Sequence, residues 1–178
     1  MHTFPCRAML VVFAAAMLPA MQARADDGDT VSWQTIVGIV QANNVVGTGS
    51  GAVTGGGKPW TTQGGHASVD LATGQVSFDV RGLVFAAGNT IGTPLPITRV
   101  KGTLVCDADG SASLDPQTNT RNSTVVDTAD VALDAQGNAR WSGSVGALPA
   151  VCITEPDVAF LIRIVPSNFW IANGAVQR

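Results

Sequence analysis

Apolar and polar residues alternate with a period of two along residues 65–83, GHASVDLATGQVSFDVRGL. This period is typical of strands that bury one face and expose the other. The two alternating runs are separated by Ala72, Thr73 and Gly74, and glycine provides the left-handed backbone that a three-residue hairpin loop requires. The pattern therefore predicts a β-hairpin. The residues on its predicted buried face are Ala67, Val69, Leu71, Val76, Phe78 and Val80.

A second hairpin is predicted around a turn at residues 134–138. Its alternating apolar positions are Ala129, Val131, Leu133, Ala139, Trp141 and Val145. Further strands are predicted over residues 31–41, 97–106, 158–165 and 169–176. The residues expected in the core include Trp33, Trp141 and most of residues 158–165. Because glycine-rich connections join these runs and no amphipathic helix is evident, the predicted fold is all-β, an antiparallel sandwich or flattened barrel of about seven to nine short strands.

Residues 1–25 have the features of a secretory signal peptide of bacterial type. Arg7 precedes an apolar run over residues 8–21, and the sequence ARA at residues 23–25 places small residues at the two positions that signal peptidase reads. A retained membrane anchor is the weaker alternative, because a spanning helix needs about 20 apolar residues. We therefore expect cleavage after Ala25 and a periplasmic or extracellular protein.

After cleavage, the chain is predicted to begin with a loose acidic leader at residues 26–30, followed by one domain at residues 31–178. Cleavage removes two of the ten basic residues and none of the thirteen acidic residues. The remaining acidic excess argues against a nucleic-acid partner or an anionic membrane surface, since each would need a basic patch. No membrane span is predicted in the mature chain.

Cys106 and Cys152 are the two cysteines of the mature chain, and export would carry them to an oxidising compartment. Cys106 lies on the apolar side of a predicted strand, and Cys152 precedes the most apolar run of the mature chain. We predict a disulfide bond between them. A reactive or metal-binding thiol is the alternative, but no CxxC spacing supports it.

Glycines are dense over residues 46–65, but their spacing does not match a glycine-rich phosphate-binding motif. A surface loop or a weak strand through residues 51–53 is the expected structure. Trp60 and Lys58 lie in this segment, and an exposed indole beside a lysine could bind a sugar or a peptide by stacking. The alternative is a tryptophan that folds back and caps the core. We expect Trp60 to be the most exposed tryptophan of the chain.

A metal site is a further hypothesis for residues 107–124, a long polar connection. Asp107, Asp109 and Asp115 surround Gly110 in this connection, and calcium prefers several hard oxygen ligands. The glutamate that ends an EF-hand loop is absent. The alternative is a solvated acidic turn after a strand.

The first predicted hairpin combines the alternating sequence ASVDL at residues 67–71, a Thr73-Gly74 turn and the sequence VSFDVRGL at residues 76–83. This combination resembles the opening of CHRD-type extracellular β domains. The resemblance covers this hairpin and implies an extracellular β-sandwich without known catalysis, and it assigns no functional residue. The chain as a whole is similar to exported bacterial β proteins that have no assigned activity.

Residues suited to catalysis are sparse in the mature chain. It contains one histidine, His66, one glutamate, Glu155, and no tyrosine. Asp70 and Asp79 share the predicted solvated face with His66, where the desolvated environment that tunes catalytic acids and bases is missing. We therefore predict no catalytic residue and no cofactor.

The function predicted from these features is that of an exported, non-catalytic β domain that binds a protein or a glycan, or that contributes to the cell envelope. The alternative is a small secreted hydrolase that uses loop carboxylates as acid and base. Such an enzyme requires a concave site with two carboxylates about 5 to 10 Å apart, or with His66 and one carboxylate.

Overall fold

The computed structural model describes residues 29–155 and 157–178. The predicted signal peptide and most of the predicted leader lie outside these residues. Over the described residues the chain forms strands, one α-helix and a short 3-10 helix at Gly49–Gly51. In chain order the elements are β1 (Thr30–Gly38), β2 (Val45–Val46), β3 (Val53–Thr54), β4 (Trp60–Thr61), β5 (Gly64–Asp70), β6 (Gln75–Arg81), β7 (Val84–Phe85), β8 (Arg99–Cys106), β9 (Thr124–Asp127), β10 (Val131–Ala132), β11 (Ala139–Ser144), α1 (Ala150–Thr154), β12 (Ala159–Ile164) and β13 (Trp170–Gln177).

Nine strands form one antiparallel sheet in the order β10, β8, β12, β13, β1, β5, β6 and β11, and β9 also pairs with β8. The sheet curls around a single core. Phe160 on β12 contacts Trp33 on β1 and Phe78 on β6, with ring centroids 5.5 and 5.7 Å apart. Gly102 on β8 leaves room for these rings, because a Cβ there would lie 3.0 Å from the Phe78 ring. Strands that are distant in the sheet order thus share one core, and the predicted fold class, an antiparallel β-sandwich or flattened barrel, is confirmed.

The first predicted hairpin is confirmed by β5 and β6. Val69 pairs with Val76 and Ala67 pairs with Phe78, and all four side chains are buried. Gly74 has a φ of 67°, which is the left-handed conformation that the turn requires. The period of two therefore predicted both the turn and the buried face correctly.

The second predicted hairpin is wrong in its pairing, although its turn exists. In that turn the backbone N–H of Asp134 donates to the carbonyl of Asn138 at 3.0 Å. The two arms then bind different strands, because β10 pairs with β8 while β11 pairs with β6. In the curled sheet β10 and β11 occur at opposite ends of the strand order, and the turn connects them.

The glycine-rich segment forms a second layer on the outside of the sheet. Its strands β2 and β3 pair with each other, and Gly55 forms a bridge with Trp170. The indole N–H of Trp170 donates to the carbonyl of Asn44 at 3.0 Å. A Cβ on Gly47 would lie 2.9 Å from a methyl group of Val105 on β8. Close approach to the sheet is therefore one reason for glycine in this segment.

The predicted disulfide bond is confirmed. Cys106 ends β8 and Cys152 lies in α1, their Cα atoms are 4.8 Å apart, and both residues are fully buried. The bond attaches α1 to the end of a central strand. The helix has five residues, and none of the helices in the described part of the chain is long and apolar enough to cross a membrane.

Candidate functional site

Trp60, the predicted ligand-binding residue, is buried. It is 3% exposed and packs on Phe85, with ring centroids 4.1 Å apart, because β4 pairs with β7. The ammonium group of Lys58 lies 5.3 Å from the centroid of the Phe85 ring. The prediction that Trp60 is the most exposed tryptophan is therefore wrong. Trp141 is the most exposed of the four and is half-buried on the outermost strand β11, whereas Trp33 lies in the core as predicted.

Carboxylates gather beside the disulfide bond, where Asp107 and Asp109 follow β8 and Asp157 precedes β12. One oxygen from each lies within 4.8 Å of the others. Asp157 Oδ1 is buried and has no hydrogen-bond partner among the described residues, while Asp157 Oδ2 accepts a hydrogen bond from the backbone N–H of Asp109 at 2.9 Å. Calcium takes about six to eight oxygen ligands. Three carboxylates would supply only part of that shell, and the metal site stays a prediction.

Two of these carboxylates already stabilise the connection that carries them. Asp107 accepts hydrogen bonds from the backbone N–H groups of Ala112 and Ser113, at 3.1 and 3.0 Å, and from the Ser113 hydroxyl at 2.7 Å. Asp109 accepts a hydrogen bond from the backbone N–H of Ser111 at 2.8 Å, and its hydrogen bonds with Ser111 lower the pKa of its carboxyl. These contacts are those of an acidic turn after a strand, the alternative to a metal site, although Asp107 is fully buried and only Asp109 is exposed to solvent.

Asp115, the third predicted metal ligand, is not part of this cluster. It accepts hydrogen bonds from the backbone N–H groups of Gln117 and Thr118, at 2.8 and 3.4 Å, and the bond from Gln117 is the main cause of its lowered pKa. Its place in the cluster is taken by Asp157, which precedes β12 and lies opposite Asp107 in the pairing of β12 with β8.

The outer face of β5, β6 and β11 carries rows of polar side chains. His66, Asp79 and Arg140 pair across the three strands, and Arg140 Nε donates to Asp79 Oδ2 at 3.1 Å. The neighbouring row consists of Ser68, Ser77 and Ser142. Two shallow depressions of about 390 and 340 Å³ share Asp79 and Arg140, and His66 lines the smaller one.

The smaller depression has the residues that a hydrolase site would need, because it is lined by His66 and by the carboxylate of Asp79. Asp79 is already engaged there, with Arg140 at 3.1 Å and Arg81 at 3.8 Å. As a general base, Asp79 would have to accept a proton from the substrate, and its oxygen Oδ2 already accepts the hydrogen bond from Arg140. The arrangement is therefore a poor acid–base pair.

Four connections meet at one end of the curled sheet, which we call the loop end. They are residues 39–63, 82–98, 133–138 and 165–169, and each begins and ends where strands reach this end. The first of them also extends to the opposite end, where the N–H of Thr48 donates to Ser123 Oγ at 2.8 Å and the N–H of Ser50 donates to Asn122 Oδ1 at 2.9 Å. Five large apolar side chains of these connections are exposed. They are Val40 (80%), Val45 (51%), Ile91 (64%), Leu95 (50%) and Phe169 (45%). Towards the opposite end Leu114 (37%), Ile153 (50%) and Val176 (62%) are exposed as well, so the loop end holds the larger of two groups of exposed apolar side chains. A contiguous exposed apolar patch marks an interaction site.

Backbone hydrogen bonds join the connections of the loop end to one another. The N–H of Ala86 donates to the carbonyl of Pro59 at 3.0 Å, and the N–H of Leu83 donates to the carbonyl of Gly137 at 2.8 Å. The side-chain hydrogen bond from Trp170, the first residue of β13, to Asn44 joins the first connection to the sheet. The exposed apolar side chains therefore extend from segments whose backbones are held together.

The two ends of the sheet differ in charge. Residues 39–57, 82–98 and 164–177 contain no charged residue. The opposite end carries Arg121 and Arg178 against a larger number of acidic residues. These acidic residues are Asp70, Asp107, Asp109, Asp115, Glu155 and Asp157.

Three arginines lie near the loop end. Arg81 ends β6, Arg99 begins β8 and Arg140 is the second residue of β11. Their side chains are 65%, 54% and 81% exposed, and each lies within 4 Å of a carboxylate of Asp79 or Asp130. The connections of the loop end also carry Lys58 and Asp134. The exposed aliphatic side chains therefore lie beside charges of both signs.

The uncharged runs of the loop end are visible in the sequence, and they were the signal that could have indicated this surface. Exposure was not visible, because buried strands such as residues 158–165 are equally apolar. Comparisons with known proteins found no family model, no curated protein and no solved structure that matches the chain. The resemblance to CHRD-type domains therefore stays a prediction.

Proposed function

We propose that this protein is an exported, non-catalytic β domain that binds a partner through its loop end. The observation that carries the proposal is the exposure of Val40, Ile91, Leu95 and Phe169 on uncharged segments at one end of the sheet. A soluble domain gains nothing from exposing Ile91 and Val40 to water, since burying such side chains is favourable by about 25 cal/mol per Å². A partner that covers the loop end would remove this cost.

Export is the second part of the proposal. It is supported by the signal-peptide features of residues 1–25 and by the disulfide bond between Cys106 and Cys152, because such bonds persist in oxidising compartments. The location would be periplasmic or extracellular. Binding to the cell envelope and binding to a secreted partner are both consistent with it.

The hydrolase remains the alternative proposal, and the depression that contains His66 and Asp79 is its only support among the described residues. Replacing His66 by alanine distinguishes the two functions, because His66 lies on the outer face of β5 and not at the loop end. A hydrolytic activity that H66A abolishes would favour the enzyme. No such change is expected for a binding domain.

Photo-crosslinking in the producing cell tests the binding proposal without knowledge of the partner. A photoactivatable amino acid replaces Leu95 at the loop end or, as a control, Ile153 at the opposite end, and both native side chains are 50% exposed. We expect covalent adducts at position 95 in clear excess over position 153. Equal adduct formation at the two positions, or none at either, would refute binding through the loop end.

A further inference from the structure

We infer that Asp107, Asp109 and Asp157 bind a calcium ion at the end of β8, with Asp157 in place of the predicted ligand Asp115. Asp107 and Asp109 directly follow β8, and the pairing of β12 with β8 places Asp157 opposite Asp107. One oxygen from each carboxylate lies within 4.8 Å of the others. Two oxygens that bind one calcium ion at about 2.3 to 2.6 Å each lie no more than about 5 Å apart. Small adjustments of the side chains therefore bring the three oxygens to a single ion.

An unpartnered oxygen points to a ligand at this cluster. Asp157 Oδ1 is completely buried and accepts no hydrogen bond from the described residues. The other oxygen, Oδ2, accepts the hydrogen bond from the backbone N–H of Asp109 at 2.9 Å, which holds the carboxylate of Asp157 against the cluster. Taking a charged oxygen out of water without a partner is unfavourable, so buried charges are paired or bind metals. A cation would supply the missing partner of Oδ1.

The cluster has no cationic side chain to balance it among the described residues, because their ion pairs involve other aspartates. Asp107 is fully buried. Its partners are neutral, namely the backbone N–H groups of Ala112 and Ser113 and the hydroxyl of Ser113. Three negative charges thus converge without a positive charge beside them. A divalent cation would neutralise two of the three.

The donor atoms favour calcium over other divalent cations. All three side chains offer carboxylate oxygens, whereas zinc sites in proteins are built mainly from cysteine and histidine. Magnesium requires a nearly ideal octahedron and is usually held by one or two carboxylates, but calcium accepts an irregular shell of about six to eight oxygens. Asp109 is exposed, so water has access to the cluster and can complete the shell. With three protein ligands, we expect a dissociation constant of about 0.1 to 1 mM, the range of extracellular calcium modules.

The ion would fasten three segments at one end of the molecule. These are the end of β8, the start of β12 and the connection at residues 107–123, which begins with Asp107 and Asp109. The disulfide bond between Cys106 and Cys152 already holds the residue next to Asp107. Calcium would add a second cross-link beside the first. The inference concerns the end opposite to the loop end, and it does not depend on a partner there.

Thermal unfolding and calorimetric titration with calcium chloride test the inference. The exported, processed protein is freed of metal with a chelator, and the chelator is then removed. Titration should detect one calcium site per chain. Calcium at about 10 mM should raise the melting temperature, because it shifts the folding equilibrium about 10- to 100-fold toward the native state at the expected affinity. The same concentration of magnesium chloride should give a much smaller shift.

The diagnostic variant is D157N, in which an amide of the same size replaces the carboxylate with the unpartnered oxygen. It should bind calcium at least about tenfold more weakly, because one of three charged ligands is lost. D109N changes an exposed ligand and should show the same loss. The matched control is D115N, which removes a carboxylate of the same connection that lies outside the cluster. It should bind calcium like the wild type.

Measurements without metal separate a ligand from a structural residue. Because D157N relieves the repulsion among three carboxylates, it should unfold at the same temperature as the metal-free wild type or above it. In calcium the order should reverse, with the wild type more stable than D157N. A purely structural role for Asp157 would make the variant less stable under both conditions, and this result would contradict the inference.

Three further results would overturn the calcium site. The first is a wild type that gives neither binding heat nor a higher melting temperature with calcium. The second is an equal shift with magnesium chloride, or with sodium chloride at the same ionic strength, since either would indicate general screening of charge. The third is a calcium response of D157N and D109N equal to that of D115N. None of these results bears on the loop end, which photo-crosslinking at position 95 tests separately.

Discussion

The ammonium group of Lys101 lies 2.6 Å from Asp127 Oδ2, between β8 and β9. The other oxygen of Asp127 accepts a hydrogen bond from the buried hydroxyl of Thr103 at 2.7 Å and lies 3.1 Å from the guanidinium group of Arg163. Arg163, which interrupts the most apolar run of the sequence, is 12% exposed and is thus paired on the outer face of β12. One carboxylate therefore neutralises part of the charge of two largely buried cations.

We expect this network to make the free energy of unfolding depend on pH in acidic solution. Burial raises the pKa of Asp127. The hydrogen bonds from Lys101 and Thr103 and the charge of Arg163 together lower this pKa by more than burial raises it, so it lies below its ordinary value. The stabilisation is then present above the unfolded-state pKa of about 3.9 and is lost as pH falls through the lower folded-state pKa. Urea unfolding measured across this range checks the prediction.

Replacing Asp127 by asparagine should destabilise the protein by about 1 to 2 kcal/mol near neutral pH, because two cations lose their counter-ion while water screens part of the effect. The exposed pair of Asp130 and Arg99 provides the control, since D130N should destabilise the protein less than D127N. The difference in unfolding free energy between D127N and the wild type should decrease as the pH is lowered into the acidic range. A constant difference at all pH values would contradict the electrostatic explanation.

Removal of the disulfide bond should lower stability without changing the fold. The double variant C106A and C152A is expected to lose about 2 to 4 kcal/mol, which corresponds to a lower melting temperature by several degrees. The measurement is thermal unfolding of the variant beside the wild type with and without reductant. A wild type that melts at the same temperature after reduction would show that the bond contributes nothing.

Truncation of Trp60 should act on the core and not on a ligand. W60A is expected to cost about 3 to 5 kcal/mol, because a large buried ring leaves a cavity against Phe85. W141A should cost less, since Trp141 is only half-buried. Chemical denaturation of the two variants gives the comparison. A Trp60 variant as stable as the wild type would mean that the indole does not pack as described.

Replacing Gly74 by alanine should destabilise the protein more than replacing Gly88 by alanine. Both have a left-handed φ, 67° and 83°, so each substitution carries a backbone strain of about 1 kcal/mol. A Cβ at Gly74 would also clash with the carbonyl oxygen of Gly146, whereas a Cβ at Gly88 would meet open space. The unfolding free energies of G74A and G88A should therefore differ, with G74A lower. Equal values would show that the turn moves freely away from Gly146.

The sequence by itself determined the features that depend on neighbouring residues. The period of two and a glycine turn specified the hairpin of β5 and β6, because side-chain direction alternates along any strand. One cysteine at the end of a predicted strand and one just before another, in a chain predicted to be exported, were enough to predict the bond between Cys106 and Cys152. The all-β class followed from the same local patterns.

Only the tertiary structure decided which distant segments meet. The arms beside the turn at residues 134–138 pair with β8 and β6, because the curled sheet offers each arm a longer hydrogen-bonded partner than the other arm does. Trp60 is buried because β7 lies beside it, and Asp157 joins Asp107 because the antiparallel register of β12 and β8 places residue 157 opposite residue 107. The exposed side chains of the loop end come from separate connections. Their position depends on strand order, and strand order arises from long-range pairing that no local period encodes.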